Sequence, residues 1–197
     1  MAAGGHQGRK PRADVQRNRA TLLETAQRHF LRHGVGTSLE AVAKEAGVGP
    51  GTLYRHFPTR EALLAAVLQT RSEELVARQA DIEQLGDPAE ALEQWLRAME
   101  EYLSAYSGLP EPLMAATRAQ DPDSPLTIPC DTLITATDQY VRAAQRAGHV
   151  RASVQGYDLF LAACSVAWIK GTGTDEESLG RLRTLLASGY REHNAQA

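Results

Sequence analysis

The feature that most constrains this chain is the run Gly47-Val48-Gly49-Pro50-Gly51, set between two helical stretches that are each very short. Upstream, Leu39, Val42, Ala43 and Ala46 repeat at i, i+3, i+4 and i+7, which is one face of a short helix. Downstream, Thr52 to Phe57 make little more than one turn before Pro58 stops them. Helices this short are marginal in water on their own, so each must lean on its neighbours. The residues supply what such a corner needs. Gly47 tolerates left-handed backbone, Val48 anchors the turn, and Ala43 and Ala46 let a crossing helix approach. Leu53 and Phe57 point the next helix inward. Two architectures meet these demands, a helix-turn-helix that reads nucleic acid and a generic three-helix packing, and the pattern alone leaves both open.

The rest of the chain also reads as helix. Leu22, Leu23, Ala26, Phe30 and Leu31 give a first helix from about Arg17 to His33, stopped by Gly34. Thr37 and Glu40 form a capping box for the second. Thr59 caps a long fourth helix with Leu64, Leu68, Leu75 and Ile82 along one side. Asp87-Pro88-Ala89-Glu90 opens another, which runs to about Ser107. Helices near 111–119, up to Gly148, over 154–170 and over 175–192 complete the chain, with Thr174 and Glu177 boxing the last. No strand pattern or repeat is present, so the expected fold is all-α with about nine helices. Residues 1–13 read as a mobile basic arm, 14–60 as a three-helix head and 61–197 as a larger helical body.

Charge divides along the same line. The formal net charge is −3, yet residues 1–60 carry ten Lys and Arg against four Asp and Glu, so the head stands at +6 and the remainder at −9. A basic head on an acidic body fits a polyanionic partner at one end, or simply a solvated basic face. Cys130 and Cys164 are too few and too far apart for a disulfide framework or zinc motif, which favours a cytoplasmic setting. Residues 1–20 lack the apolar run of a secretion signal, and Leu159–Ile169 is too short to span a bilayer. His29 and His33 have the i, i+4 spacing of a metal pair without an evident third ligand, so neither metal nor cofactor is expected.

The stretch from Thr37 to Leu63 closely resembles the TetR family of bacterial regulators. Its most specific pieces are Ala46-Gly47-Val48 and Gly51-Thr52-Leu53-Tyr54-Arg55-His56-Phe57, followed by Arg60 and Leu63. The similarity covers about residues 17–67. It implies a DNA-binding head, a ligand-binding body and a homodimer built by the last two helices. By position it implies phosphate contacts from Thr37, Tyr54, His56 and Arg60. Pro50, Gly51, Thr52 and Arg55 fall where the family reads bases, Arg55 being able to fork onto guanine and the Thr52 methyl to touch thymine. This chain departs from the pattern in that Gly49, Pro50 and Gly51 bring no hydrogen-bonding side chains to the start of the reading helix. Shape and the arm Gly8-Arg9-Lys10-Pro11-Arg12 then carry more of the recognition, unless the arm is only a solubilising tail.

Trp95, Met99, Tyr102 and Tyr106 share one side of a helix at i, i+4, i+7 and i+11. Such a stripe is either core or the wall of a pocket for an apolar ligand with a few polar groups. Met114, Tyr140 and Phe160 would complete that lining. Cys164, beside Ala162 and Ala163, reads as packing rather than as a redox sensor. The leading expectation is a ligand-responsive repressor that binds a palindromic operator in double-stranded DNA as a dimer and is released by a small inducer. The alternative is an architectural DNA-binding protein whose body serves only assembly or docking. No paired carboxylates or activated nucleophile can be assembled, so an enzyme is not expected.

Overall fold

A computed structural model describes residues 10–192, with side chains from residue 15. Among the described residues the elements are α1 (Lys10–His33), α2 (Leu39–Glu45), α3 (Pro50–His56), α4 (Arg60–Ile82), α5 (Pro88–Ser104), α6 (Pro110–Ala119), α7 (Thr127–Arg146), α8 (Gly156–Gly171) and α9 (Glu176–Tyr190). One isolated antiparallel bridge joins Val150 to Arg191 and straps the end of α9 to the α7–α8 turn. The all-α reading therefore holds, with boundary differences that have local causes. α1 begins at Lys10 rather than near Arg17, so residues 10–13 of the expected arm are helical backbone and residues 1–9 lie outside the described residues. α5 stops at Ser104, which puts Tyr106 in the following turn rather than on the helix.

Two caps sit one residue later than expected. Ser38, not Thr37, is the N-cap of α2; its Oγ accepts from the Ala41 N–H at 3.3 Å and donates to Glu40 Oε2 at 2.7 Å. Asp175, not Thr174, caps α9 by accepting from the Ser178 N–H at 2.8 Å. A carboxylate accepts more strongly from an orphan amide than a hydroxyl does. α8 has a capping box that was not foreseen, formed by Gln155 and Asp158.

The head is organised around the α2–α3 corner. Gly47 has φ +71°, the Val48 N–H reaches Ala43 O at 3.0 Å and the Gly47 N–H reaches Lys44 O at 3.1 Å. This is the Schellman pattern that closes a helix with a left-handed residue. Beneath it Phe30, Val42, Leu53, Phe57 and Leu63 are almost fully buried. Glu45 ties α2 back to α1, with its Oε2 2.9 Å from His29 Nδ1 and its Oε1 accepting from Arg32 at 2.5 Å. The His29–His33 pair is thus a ring contact, 4.7 Å between centroids, with His29 engaged by a carboxylate.

Head and body meet at the turn after α1. Gly34 has φ +75°, and a Cβ there would lie 2.7 Å from Ser107 O. That oxygen accepts from the Val35 N–H at 2.9 Å. Phe30 meets Tyr106 edge-on at 6.1 Å. α4 runs from the head into the body, where it packs on α5 and α7 while α5, α7 and α8 pack mutually. α7 and α8 approach closely because residue 156 is glycine; a Cβ there would fall 2.6 Å from Asp138 N. α9 lies on α8 and is pinned to α5 by a forked pair, Arg183 Nε and Nη2 donating to Glu100 at 2.8 and 2.5 Å.

Candidate functional site

α3 presents an outward face without losing its footing. Leu53 is fully buried, whereas Pro50, Gly51, Tyr54 and Arg55 are exposed and Thr52 and His56 half-buried. Pro50 starts the helix at a position whose N–H would have no partner anyway. A Cβ on Gly51 would meet open space, so glycine there is not required by the fold and leaves room for close approach from outside.

The polar side chains of this face hold one another. Arg55 folds back along α3, donating through Nε to Gly51 O and through Nη2 to Thr52 Oγ1, both at 3.1 Å. The Tyr54 hydroxyl donates to Glu40 Oε1 at 2.9 Å. The same bond raises the Tyr54 phenol above its ordinary value, while the Ser38 hydroxyl first, then the Glu40 backbone N–H and Tyr54, lower the Glu40 carboxyl. Arg60, expected at phosphate, spends Nη1 on Val35 O and Thr37 O at 2.6 Å each. It braces the α1–α2 turn from which Thr37 approaches α2, and leaves Nε and Nη2 for other acceptors. Six of the eight expected DNA residues lie on α3, Arg60 opens α4, and Thr37 sits in the α1–α2 turn, tied to Arg60 through its carbonyl. Sequence reasoning missed the Glu40–Tyr54 and Glu45–His29–Arg32 links, because nothing in a linear pattern reports which charges meet across a corner.

The aromatic stripe is also brought together, but as core. Trp95, Met99, Tyr106 and Phe160 are at most 1% exposed, Tyr102 and Tyr140 are 8% exposed, and Met114 is partly buried. Trp95 Nε1 donates to Thr137 Oγ1 at 2.9 Å, and Thr137 in turn donates to Leu133 O at 2.7 Å. The Trp95 ring stacks on Tyr140 at 5.3 Å, and the Tyr102 hydroxyl donates to Leu68 O at 3.2 Å. Two hydroxyls, of Tyr106 and Tyr140, are buried without a hydrogen-bond partner. Leaving such a group unmet costs about 1–3 kcal/mol. Burial pushes the Tyr102 and Tyr140 phenols up to about 12, and both cysteine thiols likewise to about 12. Cys130 and Cys164 accordingly pack as small apolar side chains.

A groove of about 510 Å³ opens elsewhere, between α5, α8 and α9. Leu96, Leu159, Val166 and Leu186 form its apolar walls, with the Glu100–Arg183 pair at one side. None of the seven residues expected around a ligand lines it. Among the described residues no helix is long and apolar enough to cross a membrane, and no group of three or more His, Cys, Asp and Glu could hold a metal ion.

Comparison with known proteins matches this geometry. The family described as bacterial regulatory proteins, tetR family, matches residues 22–67, and the C-terminal domain of SbtR-like transcriptional regulators matches residues 87–192. The HTH-type transcriptional regulator UidR of Escherichia coli is 35% identical over 66 residues, 33% of this chain and 34% of UidR. TtgR of Pseudomonas putida is 35% identical over 83 residues, 41% of this chain and 40% of TtgR. These matches span about a third to two-fifths of those relatives' length. A solved TetR transcriptional regulator from Streptomyces coelicolor aligns over 88% of this chain and 98% of its own, at 32% identity and a TM-score of 0.57. A TetR-family regulator from Pectobacterium atrosepticum shares the fold at 24% identity, covering 90% of this chain and 94% of its own with a TM-score of 0.60. With both halves matched, the chain belongs to the TetR family of bacterial transcriptional regulators, a family of helix-turn-helix DNA-binding proteins rather than of enzymes.

Proposed function

We propose that this chain is a repressor that binds a palindromic operator as a homodimer and is released by a small-molecule effector. The observation that carries the DNA half is α3, whose inner side is locked by Leu53 and whose outer side exposes Pro50, Gly51, Tyr54 and Arg55 beside Thr52. On the duplex, Arg55 leaves Gly51 O and Thr52 Oγ1 for a guanine edge, which offers two acceptors in the same fork spacing. Thr37, Tyr54, His56 and the spare nitrogens of Arg60 meet phosphates and set register without reading sequence. Exposed Trp168 and Leu185 on α8 and α9 support pairing of two subunits there.

One observation favours a second reading, a DNA-binding protein whose body serves only assembly. The aromatic stripe is closed core rather than an open pocket. Release by an effector then requires the body to open, and an effector shifts that equilibrium only by binding one state better than the other.

Fluorescence anisotropy with labelled operator and a scrambled duplex, across a salt series, tests the docking. Arg55→Ala is expected to lose about 1–3 kcal/mol of discrimination at one or two base pairs while leaving the scrambled duplex unaffected. His56→Ala should weaken both duplexes alike. Wild-type specificity retained in Arg55→Ala removes α3 as the reading helix.

A further inference from the structure

Arg71 sits on α4 where the head meets the body, and its surroundings do not account for it. Its guanidinium carbon lies 5.2 Å from the Tyr106 ring centroid and 5.8 Å from that of Tyr102, so two aromatic rings hold the cation. Nη2 has only a long contact with Glu74 Oε2, 3.4 Å, and that carboxylate is largely in solvent. Nη1 is buried with no partner, and so is the Tyr106 hydroxyl. Tyr106 itself is 1% exposed. Burial raises its phenol, and the Arg71 charge, then contacts of the Arg71 and Gln27 side chains with its oxygen, offset part of that rise, although neither contact meets hydrogen-bond geometry. Gln27 comes from α1, Arg71 from α4, and Tyr106 from the turn that meets Gly34 and Val35.

The chemistry of this cluster is one-sided. A guanidinium nitrogen can only donate, and a phenol beside it has a proton to give. A ligand able to satisfy both must bring acceptors and no competing donor, and a negative charge matches the cation. The buried rings of Tyr102 and Tyr106 and the edge of Phe30 make its surroundings apolar. The Arg71 side chain keeps 19% of its surface exposed, so the cation is not sealed from solvent.

We infer that Arg71 Nη1 and the Tyr106 hydroxyl form a carboxylate-accepting site at the head–body seam, and that the effector class is a small organic acid with an apolar body. The inference rests on the effector-released repressor reading for its consequence, though not for the binding itself. A carboxylate drawn between Arg71 and Tyr106 pulls α4 against the turn that carries Ser107, the residue whose carbonyl holds Val35 of the head. Binding there is therefore coupled to the placement of α1 and the short helices after it.

The test uses the full-length protein and sodium benzoate as probe, with benzamide as its neutral counterpart and acetate as the smaller acid. Calorimetric titration and thermal melts should show binding of benzoate, weaker binding of acetate and none of benzamide. Arg71→Met keeps the aliphatic stem between the rings and should weaken benzoate tenfold or more. Tyr106→Phe should weaken it by a smaller factor while melting no lower than wild type without ligand, because the hydroxyl it removes is unmet. No response to either acid, equal binding of benzamide, or unchanged benzoate affinity in Arg71→Met would each overturn the site. A Tyr106→Phe protein that melts well below wild type would do so too, since the hydroxyl would then already have a partner. Benzoate that binds through Arg71 yet leaves the operator complex intact upholds the site and removes the effector reading instead.

Discussion

Arg55 and Arg60 carry the same charge five residues apart and are set to different work by their neighbours. Arg55 is exposed and satisfied only by its own helix, so its bonds to Gly51 O and Thr52 Oγ1 can be exchanged for a partner's at little cost. Arg60 reaches across the corner to two part-buried carbonyls of the α1–α2 turn, which lose a charge-assisted bond if it is removed. Arg60→Ala should therefore lower the stability of the head by about 1–3 kcal/mol, as expected for charge-assisted bonds to partly buried carbonyls. Arg55→Ala should leave the melting temperature within error. Thermal denaturation of both proteins without DNA checks this pair, and equal melting temperatures would mean that Arg60 is not a brace. Any loss of operator affinity in Arg60→Ala then has to be read after correction for unfolding.

At the scale of elements, the seam between α1 and the α5–α6 turn is a tightly specified contact between head and body. Gly34 is needed twice there, once for φ +75° and once because a side chain would meet Ser107 O at 2.7 Å. Gly34→Ala should cost about 1–2 kcal/mol for left-handed backbone alone, with the clash adding to it. The Ser107 carbonyl would be pushed off the Val35 N–H, loosening the head on the body. Hydrogen exchange at the Val35 amide would report this as lost protection; full protection in a folded Gly34→Ala protein would show that the seam yields elsewhere. Gly34 was visible in the sequence only as a helix stop, because the partner that makes it indispensable is 73 positions away. The corner of Gly47 and Val48 was legible, since its hydrogen bonds close within six residues. The caps of α2 and α9 were misplaced by one residue because Thr37-Ser38 and Thr174-Asp175 each offer two adjacent acceptors. The aromatic stripe was legible as an apolar face, but periodicity cannot tell a wall from a core: that depends on whether α7 and α8 close on it, as Thr137 and Phe160 do.

For the whole molecule, operator affinity depends on holding two short reading helices about one turn of DNA apart, roughly 34 Å or more if the duplex is distorted. The surfaces proposed for that are on α8 and α9. α8 is apolar nearly all round, with Phe160 and Cys164 fully buried inside the subunit and Trp168 52% exposed. α9 buries Leu179 and Tyr190, leaves Leu182 and Leu186 half-buried, and projects Leu185 at 70% exposure. Its orientation is fixed from within by the forked Arg183–Glu100 pair and by the bridge from Val150 to Arg191. In the proposed dimer, two such surfaces facing across a two-fold axis would make a four-helix bundle with an isologous interface. Leu182 and Leu186 are half-buried within the subunit, and Leu186 lines the groove between α5, α8 and α9, so charges there would disturb the subunit's own packing as well as assembly. Trp168 and Leu185 separate the two. The double substitution Trp168→Glu and Leu185→Glu should shift the sedimenting species from dimer to monomer while far-UV circular dichroism stays that of a helical protein. Operator affinity should fall by several orders of magnitude toward that of a single head, because one α3 covers only a few base pairs. Binding to a single half-site should hardly change. A charged double mutant that still sediments as a dimer would move the assembly surface off α8 and α9, and one that is monomeric yet keeps full operator affinity would show that spacing of the heads is not what the body provides.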